Sequence, residues 1–147
     1  MKIYIAASWK HRHAVEMLTD MLRERGHKVL SFVENCDKEG NAGGFNFEEW
    51  VHTPEANRCF YFDTHAAMTS DLVIYIGPSG KDAAVELGAA FACGVTILGL
   101  YAKGEDFGLM RKIFTQWYDC FRDLLAKVAA LQVEKERFDA EQEARVK

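Results

Sequence analysis

The chain has 147 residues, 49% of them apolar, enough for one compact domain with its own core and too few for a second of comparable size. A net charge of -4 and a pI near 5.7 exclude a nucleic-acid-polymer face built from summed basic charge and leave room only for a local pocket taking one phosphate. No apolar run approaches the roughly 18 residues of a membrane span. The N-terminus enters a strand without a signal-like apolar region, and Cys36, Cys59, Cys93 and Cys120 form no C-x-x-C pair, so the expectation is a cytoplasmic protein with free thiols and no membrane partner.

In chain order the sequence alternates strand and helix. Lys2 to Ala7 reads as a first strand, and Val15, Leu18, Met21 and Leu22 recur at helical spacing between Lys10 and Arg25 before Gly26 stops the helix. His27 to Val33 reads as a second strand. Residues 34–54, rich in Gly, Asn and acids and without clean periodicity, read as a long excursion near the strand ends. Thr53 and Pro54 start a helix as cap and first-turn residue. The apolar, β-branched run Asp71 to Gly77, closed by Gly77-Pro78, reads as a buried parallel strand. A helix follows Gly80 and stops at Cys93-Gly94; Val95 to Tyr101 is a fourth strand, and Trp117-Tyr118 a short fifth before a helix from about Asp119. Short crossovers of this kind demand a right-handed, doubly wound parallel sheet of about five strands. In the last segment Leu124, Leu125, Val128 and Leu131 share one helical face, and the mixed-charge run beyond them reads as a solvated helix with an oligomer contact as its alternative.

Glu86 is the residue that this organisation singles out. It lies about one turn into the small-residue helix that follows the most apolar strand, and in open α/β sheets ligands bind beyond the carboxyl ends of strands, beside helix N-termini. Its side chain, directed back toward the helix start, can reach that crevice.

Together the segments Ile3-Tyr4-Ile5-Ala6-Ala7-Ser8, Asp71-Leu72-Val73-Ile74, Val85-Glu86-Leu87-Gly88-Ala89-Ala90 and the Gly94 turn resemble the nucleoside 2-deoxyribosyltransferase superfamily, including its 2'-deoxynucleoside 5'-monophosphate N-glycosidases. The resemblance spans roughly residues 2 to 115. It implies a three-layer, flavodoxin-like (Rossmann-like) domain over residues 1–125, with 126–147 as its helical extension. It also implies N-glycosidic chemistry without a cofactor or a metal: Glu86 attacks C1' of a 2-deoxyribosyl group, and water or another base resolves the glycosyl-enzyme. Asp63 matches the family's second carboxylate and is assigned protonation or positioning of the leaving base. Tyr4 matches the tyrosine that contacts the sugar or orients the nucleophile, and Ser8 the hydroxyl at the substrate's 5' end. Lys10 and Arg12, with Ser79, Gly80 and Lys81 from the neighbouring loop, offer a set suited to a 5'-phosphate. Where the family's monophosphate hydrolases carry serine, six residues before the nucleophile, this chain has Gly80. Family members assemble so that neighbouring subunits complete the site, which implies a homodimer.

Each assignment has a structural alternative. Glu86 and Asp63 fit helix acids at the surface, Tyr4 plain core, Ser8 a helix cap, and Lys10, Arg12 and Lys81 surface charges. The aromatics Phe45, Phe47, Trp50, Phe60, Tyr61 and Phe62 fit a satellite core as well as a base pocket. His11-x-His13 has the wrong spacing for two metal ligands on one helix face, and Gly77 to Lys81 lacks the glycine spacing and following hydroxyl of a phosphate loop. The rival from another class is a nucleotide-binding or sensing module without turnover. Separated or solvent-facing Glu86 and Asp63 favour that module; convergence with Tyr4 at the strand ends favours the enzyme.

Overall fold

In β1 (Lys2–Ala7) successive side chains face opposite sides of the sheet, and both sides are apolar, so both must be covered. The computed structural model describes residues 1–36, 46–106 and 108–146. After β1 come a 3₁₀ turn (Trp9–His11), α1 (Arg12–Glu24), β2 (Lys28–Leu30), α2 (Phe32–Asn35), α3 (Phe47–Trp50) and α4 (Pro54–Thr69). They are followed by β3 (Leu72–Ile76), α5 (Lys81–Ala92), β4 (Thr96–Leu100), a second 3₁₀ segment (Gly108–Ile113), β5 (Gln116–Tyr118) and α6 (Phe121–Val146). The five strands form one parallel sheet in the order β2-β1-β3-β4-β5, the flavodoxin-like, doubly wound arrangement expected from the sequence.

Ile3 and Ile5, with Leu72, Ile74 and Ile76 of β3, pack under α1 through Val15, Leu18 and Leu22 and under α6 through Leu124, Leu125 and Val128. Tyr4 and Ala6, with Val73 and Tyr75, pack on the opposite side under Ala66 and Ala67 of α4 and Ala83, Leu87 and Ala90 of α5. The small residues on α4 and α5 let both helices lie close to the sheet and to each other.

The local signals act as read at several points. Gly26 takes a φ of +82° just past α1, where an L side chain would be strained. Thr53 Oγ1 accepts the Ala56 N–H at 3.2 Å, and Pro54 opens α4. Beyond Leu131, α6 is largely exposed, with Val133 and Phe138 open to solvent.

Three expectations change. The second strand ends at Leu30, not Val33: β2 pairs with β1 only from Lys28 to Leu30, and beyond it Ser31 and Phe32 accept the N–H groups of Asn35 and Cys36 in helical fashion. Of the long excursion, residues 37–45 lie outside the described residues, while α3 and the aromatics of α4 are helical, with Phe47, Phe60 and Tyr61 exposed. Cys36 and Cys59 are joined as a disulfide with their Cα atoms 6.0 Å apart, so free thiols hold for Cys93 and Cys120 alone. The two bonded residues stand 23 positions apart, and the packing of α2 on α4 unites them in a way that spacing alone does not reveal.

At the far edge, Trp117 of β5 lies over Gly99 of β4 and against Phe114, with ring centroids 4.1 Å apart. A Cβ on Gly99 would stand 2.6 Å from Trp117 Cε3. Gly99→Ala is therefore expected to lower the unfolding free energy by about 1–3 kcal/mol, read as a lower urea midpoint at unchanged m-value. An unchanged midpoint would show that Trp117 moves aside without cost.

Candidate active site

The alternation of β1 places Tyr4 on the side of the sheet that α4 and α5 cover, and each of these helices carries an acid on its buried stripe. On α5 the buried residues are Ala83, Glu86, Leu87 and Ala90, the i, i+3, i+4, i+7 pattern of a core-facing helix with a carboxylate at one position. On α4 the buried residues are Ala56, Cys59, Ala66 and Ala67, and Asp63 stands on the same line, four residues after Cys59 and three before Ala66. Helix packing therefore brings both acids onto Tyr4.

Burial governs the electrostatics of this group. Glu86 is only 8% exposed, and its pKa is pushed up to about 8, first by burial and then by the charge of Asp63, with a smaller push from Asp82 and an opposing pull from the Tyr4 hydroxyl. Asp63 is pushed up to about 7 by burial, again opposed by Tyr4 and assisted by the charge of Asp82. Tyr4, fully buried, is held firmly protonated by burial and by the charges of Glu86 and Asp63. Its hydroxyl acts on both carboxylates but closes a hydrogen bond of full geometry with neither, and Asp63 Oδ1 is likewise buried without a closed hydrogen bond. Two acids that cannot both ionise cheaply titrate as a pair, and near neutrality such a pair retains a proton.

Above this triad opens a cleft of about 160 Å³ at the carboxyl ends of the strands, where the strand order reverses between β1 and β3. It is lined by Asp63, Ala83 and Glu86, by Gly80 and Asp82 at the start of α5, and by Ala7, Ser8, Trp9 and Phe32. Trp9 and Phe32 meet edge to face with centroids 5.2 Å apart. The rim is fixed by the turn after β3. Ser79 Oγ accepts the Ser8 N–H at 2.8 Å and donates to the Ile76 carbonyl at 2.6 Å, while His11 Nε2 donates to the Pro78 carbonyl at 2.7 Å.

The structure thus brings together Tyr4, Ser8, Asp63, Gly80 and Glu86 of the residues singled out in the sequence. It does not bring the others to the cleft wall. Ser8 Oγ also accepts the Lys10 N–H at 3.4 Å, so Ser8 caps the 3₁₀ turn while lining the cleft. Lys10 and Lys81 are exposed, Arg12 pairs with Glu16 at 2.8 Å, and the Ser79 hydroxyl is engaged in the turn. The aromatics Phe47, Trp50, Phe60, Tyr61 and Phe62 do not line the cleft. Trp9, Phe32 and Asp82 do, and sequence reasoning passed over them. Trp9 was detectable as the bulky residue directly after the strand-end serine. Phe32 was concealed by being read as mid-strand. Asp82 is an ordinary first-turn acid until its proximity to Asp63 and Glu86 is known. Among the described residues no group of three or more His, Cys, Asp or Glu is placed to hold a metal ion.

No protein-family model matches the chain, and no curated protein matches it by sequence. Solved structures do. The chain is similar to a 2-deoxyribosyltransferase from the psychrotolerant Bacillus psychrosaccharolyticus, at 25% identity and a TM-score of 0.66, over 84% of this chain and 90% of that one. It also shares its fold with the CMP N-glycosidase BcmB of Clostridium botulinum, at 20% identity and a TM-score of 0.57, over 88% of this chain and 99% of that one. The resemblance to the nucleoside 2-deoxyribosyltransferase superfamily is borne out, and with it the expectation of an enzyme of the N-glycosidase or deoxyribosyltransferase kind.

Proposed function

We propose that this chain cleaves, or transfers a sugar across, the N-glycosidic bond of a 2'-deoxynucleoside or its 5'-monophosphate through a covalent glycosyl intermediate on Glu86. The observation that carries this reading is the convergence of Tyr4, Asp63 and Glu86 beneath a cleft at the strand ends. A binding module has no use for two buried acids pressed together; an enzyme that needs one carboxylate charged and one protonated does.

The reactive state is the minor arrangement of the shared proton, with Glu86 ionised and Asp63 protonated, since pKa values of about 7 for Asp63 and about 8 for Glu86 leave that proton more often on Glu86. A Glu86 oxygen forms a bond to C1' as the bond from C1' to the base nitrogen breaks, with the positive charge developing on the sugar ring facing the carboxylate. The proton of Asp63 passes to the departing base, either directly or through one water. Asp63, now ionised, takes a proton from the incoming water or from a second base, which attacks C1' and releases Glu86. Tyr4, kept protonated, has its hydroxyl directed at both carboxylates and favours whichever is charged. Trp9 and Phe32 offer the base an apolar wall. The steps balance without a cofactor.

The remaining parts of the reading are a cytoplasmic location, against which the Cys36–Cys59 disulfide weighs, and a homodimer. No described helix is long and apolar enough to cross a membrane. An apolar groove formed by Ala14, Met17, Leu18, Met21, Ile76, Leu100 and Phe121, with Met17 60% exposed, supports contact with a second copy.

The test is base release from a panel of deoxynucleosides and their 5'-monophosphates, run with and without a second base as acceptor. Release from at least one substrate is expected, and dependence on the acceptor separates transferase from hydrolase. Binding across the panel without release would replace this reading with the sensing module.

A further inference from the structure

A chain of hydrogen bonds outside the cleft ties the loop after β4 to Ser8 of the cleft lining and to the residue before Gly80. Glu105, half-buried on that loop, accepts the Tyr75 hydroxyl on Oε1 at 2.7 Å and the Ala102 N–H on Oε2 at 3.1 Å. Tyr75 Oη in turn accepts the Ser79 N–H at 3.0 Å, and Ser79 Oγ accepts the Ser8 N–H at 2.8 Å. The carboxylate also lies directly against Gly77, at a position where any Cβ on that residue would collide with it. Ser8 lines the cleft, and Gly80, the residue after Ser79, both lines it and caps α5, the helix that carries Glu86.

We propose that Glu105 is a positioning residue for the active site, acting through Tyr75 and Ser79 to fix the turn that sets Ser8 and the start of α5. The proposal rests on the function assigned above, but its structural half is independent of that assignment. Gly80 makes no side-chain cap, so nothing in that residue itself anchors the first turn of α5. The anchor comes instead from the Ser79 N–H, held by a phenol that a carboxylate holds in turn, a charge-assisted link at its outer end. Both oxygens of Glu105 are occupied by different donors, which fixes the carboxylate's direction as well as its place. If the chain is cut at Glu105 or at Tyr75, the turn keeps its Ser8 to Ser79 to Ile76 bonds but loses its outer support, and the helix start relaxes. Displacements of about 1 Å at a reacting group are enough to cost on the order of a hundredfold in rate.

The test compares Glu105→Ala, Tyr75→Phe and the double variant with the wild type, each confirmed folded by circular dichroism at the assay temperature. With a substrate from the panel, each single variant is expected to lower kcat about 10- to 100-fold while KM moves by less than about threefold. The double variant is expected to be no slower than the worse single one, because both cut the same chain. A role in stability alone would lower the melting temperature but leave kcat of the folded fraction unchanged, and additive losses would mean two separate effects; either result overturns the proposal. Tyr75→Phe removes one hydroxyl and keeps the ring, so it serves if Glu105→Ala does not fold.

A second readout needs no turnover. The pH dependence of the unfolding free energy between about pH 5 and 8 carries a falling contribution from Glu86 and Asp63, set by how well they are kept from water, over a rising one from His27 that the variants share with the wild type. The falling part of this slope is expected to weaken in Glu105→Ala or Tyr75→Phe as the helix start loosens and water enters. Absence of base release by the wild type would refute the assigned function, whereas an unchanged slope together with an unchanged kcat, or an unchanged slope alone in a protein without turnover, would refute the positioning role.

Discussion

Glu86→Gln is expected to abolish base release, lowering kcat by roughly a thousandfold to a millionfold while leaving the fold and most of the binding affinity intact. Glutamine keeps the shape of the side chain and the stripe formed by Ala83, Leu87 and Ala90, so a loss of rate is not a loss of packing. It removes the charge that faces the sugar and the lone pair that bonds to C1'. Asp63→Asn distinguishes the two halves of the proposed reaction. It leaves Glu86 able to attack but removes both the proton for the departing base and the base that would activate water. A substrate whose leaving group needs little protonation should therefore accumulate as a deoxyribosyl adduct, visible in the intact protein mass and located on Glu86 by peptide mapping. Product analysis gives an independent check, because two successive displacements at C1' retain its configuration. Inversion at C1', or Glu86→Gln activity within tenfold of the wild type, would remove Glu86 from the role of nucleophile.

Much of this site was legible in the sequence because the elements that carry it obey local rules. The β3 run from Leu72 to Ile76 is apolar at every position, which only a central parallel strand requires, and the helix after it could be placed by the turn at Gly77 to Gly80. Once β1 is a central strand, period two puts Tyr4 on a definite face. A lone carboxylate just inside a small-residue helix marks Glu86, whereas Asp63 is singled out in the sequence only by the family resemblance. What could not be read depends on contacts between distant segments. The Cys36 to Cys59 bond requires α2 to lie on α4, and α2 itself was hidden because Phe32 and Val33 suit a strand as well as a buried helix turn. Lys10, Arg12 and Lys81 are close to the site in sequence, yet side-chain direction is settled by neighbours such as Glu16, which takes the Arg12 guanidinium. Glu105 carries no sequence signal, since an acid in a polar loop is common. Only its contact with Tyr75 and Gly77 gives it meaning.

The same substitution that stops the reaction is expected to stabilise the protein at alkaline pH. Glu86 and Asp63 have pKa values of about 8 and about 7 in the fold, against 4.5 and 3.8 for the ordinary groups that the unfolded chain presents. Between about pH 4 and 8 these two groups therefore bind more protons in the folded state than in the unfolded one, so their contribution to stability falls as pH rises across that window and levels off above it. Below the unfolded values both acids are neutral in either state, and the burden vanishes. Glutamine at position 86 has no charge to bury and relieves Asp63 of its charged neighbour. Glu86→Gln should thus match the wild type near pH 4 and exceed it by about 2–4 kcal/mol at pH 8, measured by urea unfolding at intervals between the two. Glu16 and Glu34, whose pKa values are lowered by Arg12 and Arg23, and His27, whose pKa is lowered by burial, give the opposite trend but contribute equally to both proteins and cancel in the difference. Parallel stability curves would mean that Glu86 reaches water in the folded state, and a difference that grows toward acid would mean that its charge is stabilised there. A gap that opens with pH identifies Glu86 as a charge kept at a cost to the fold, the pattern of a group retained for chemistry and not for packing.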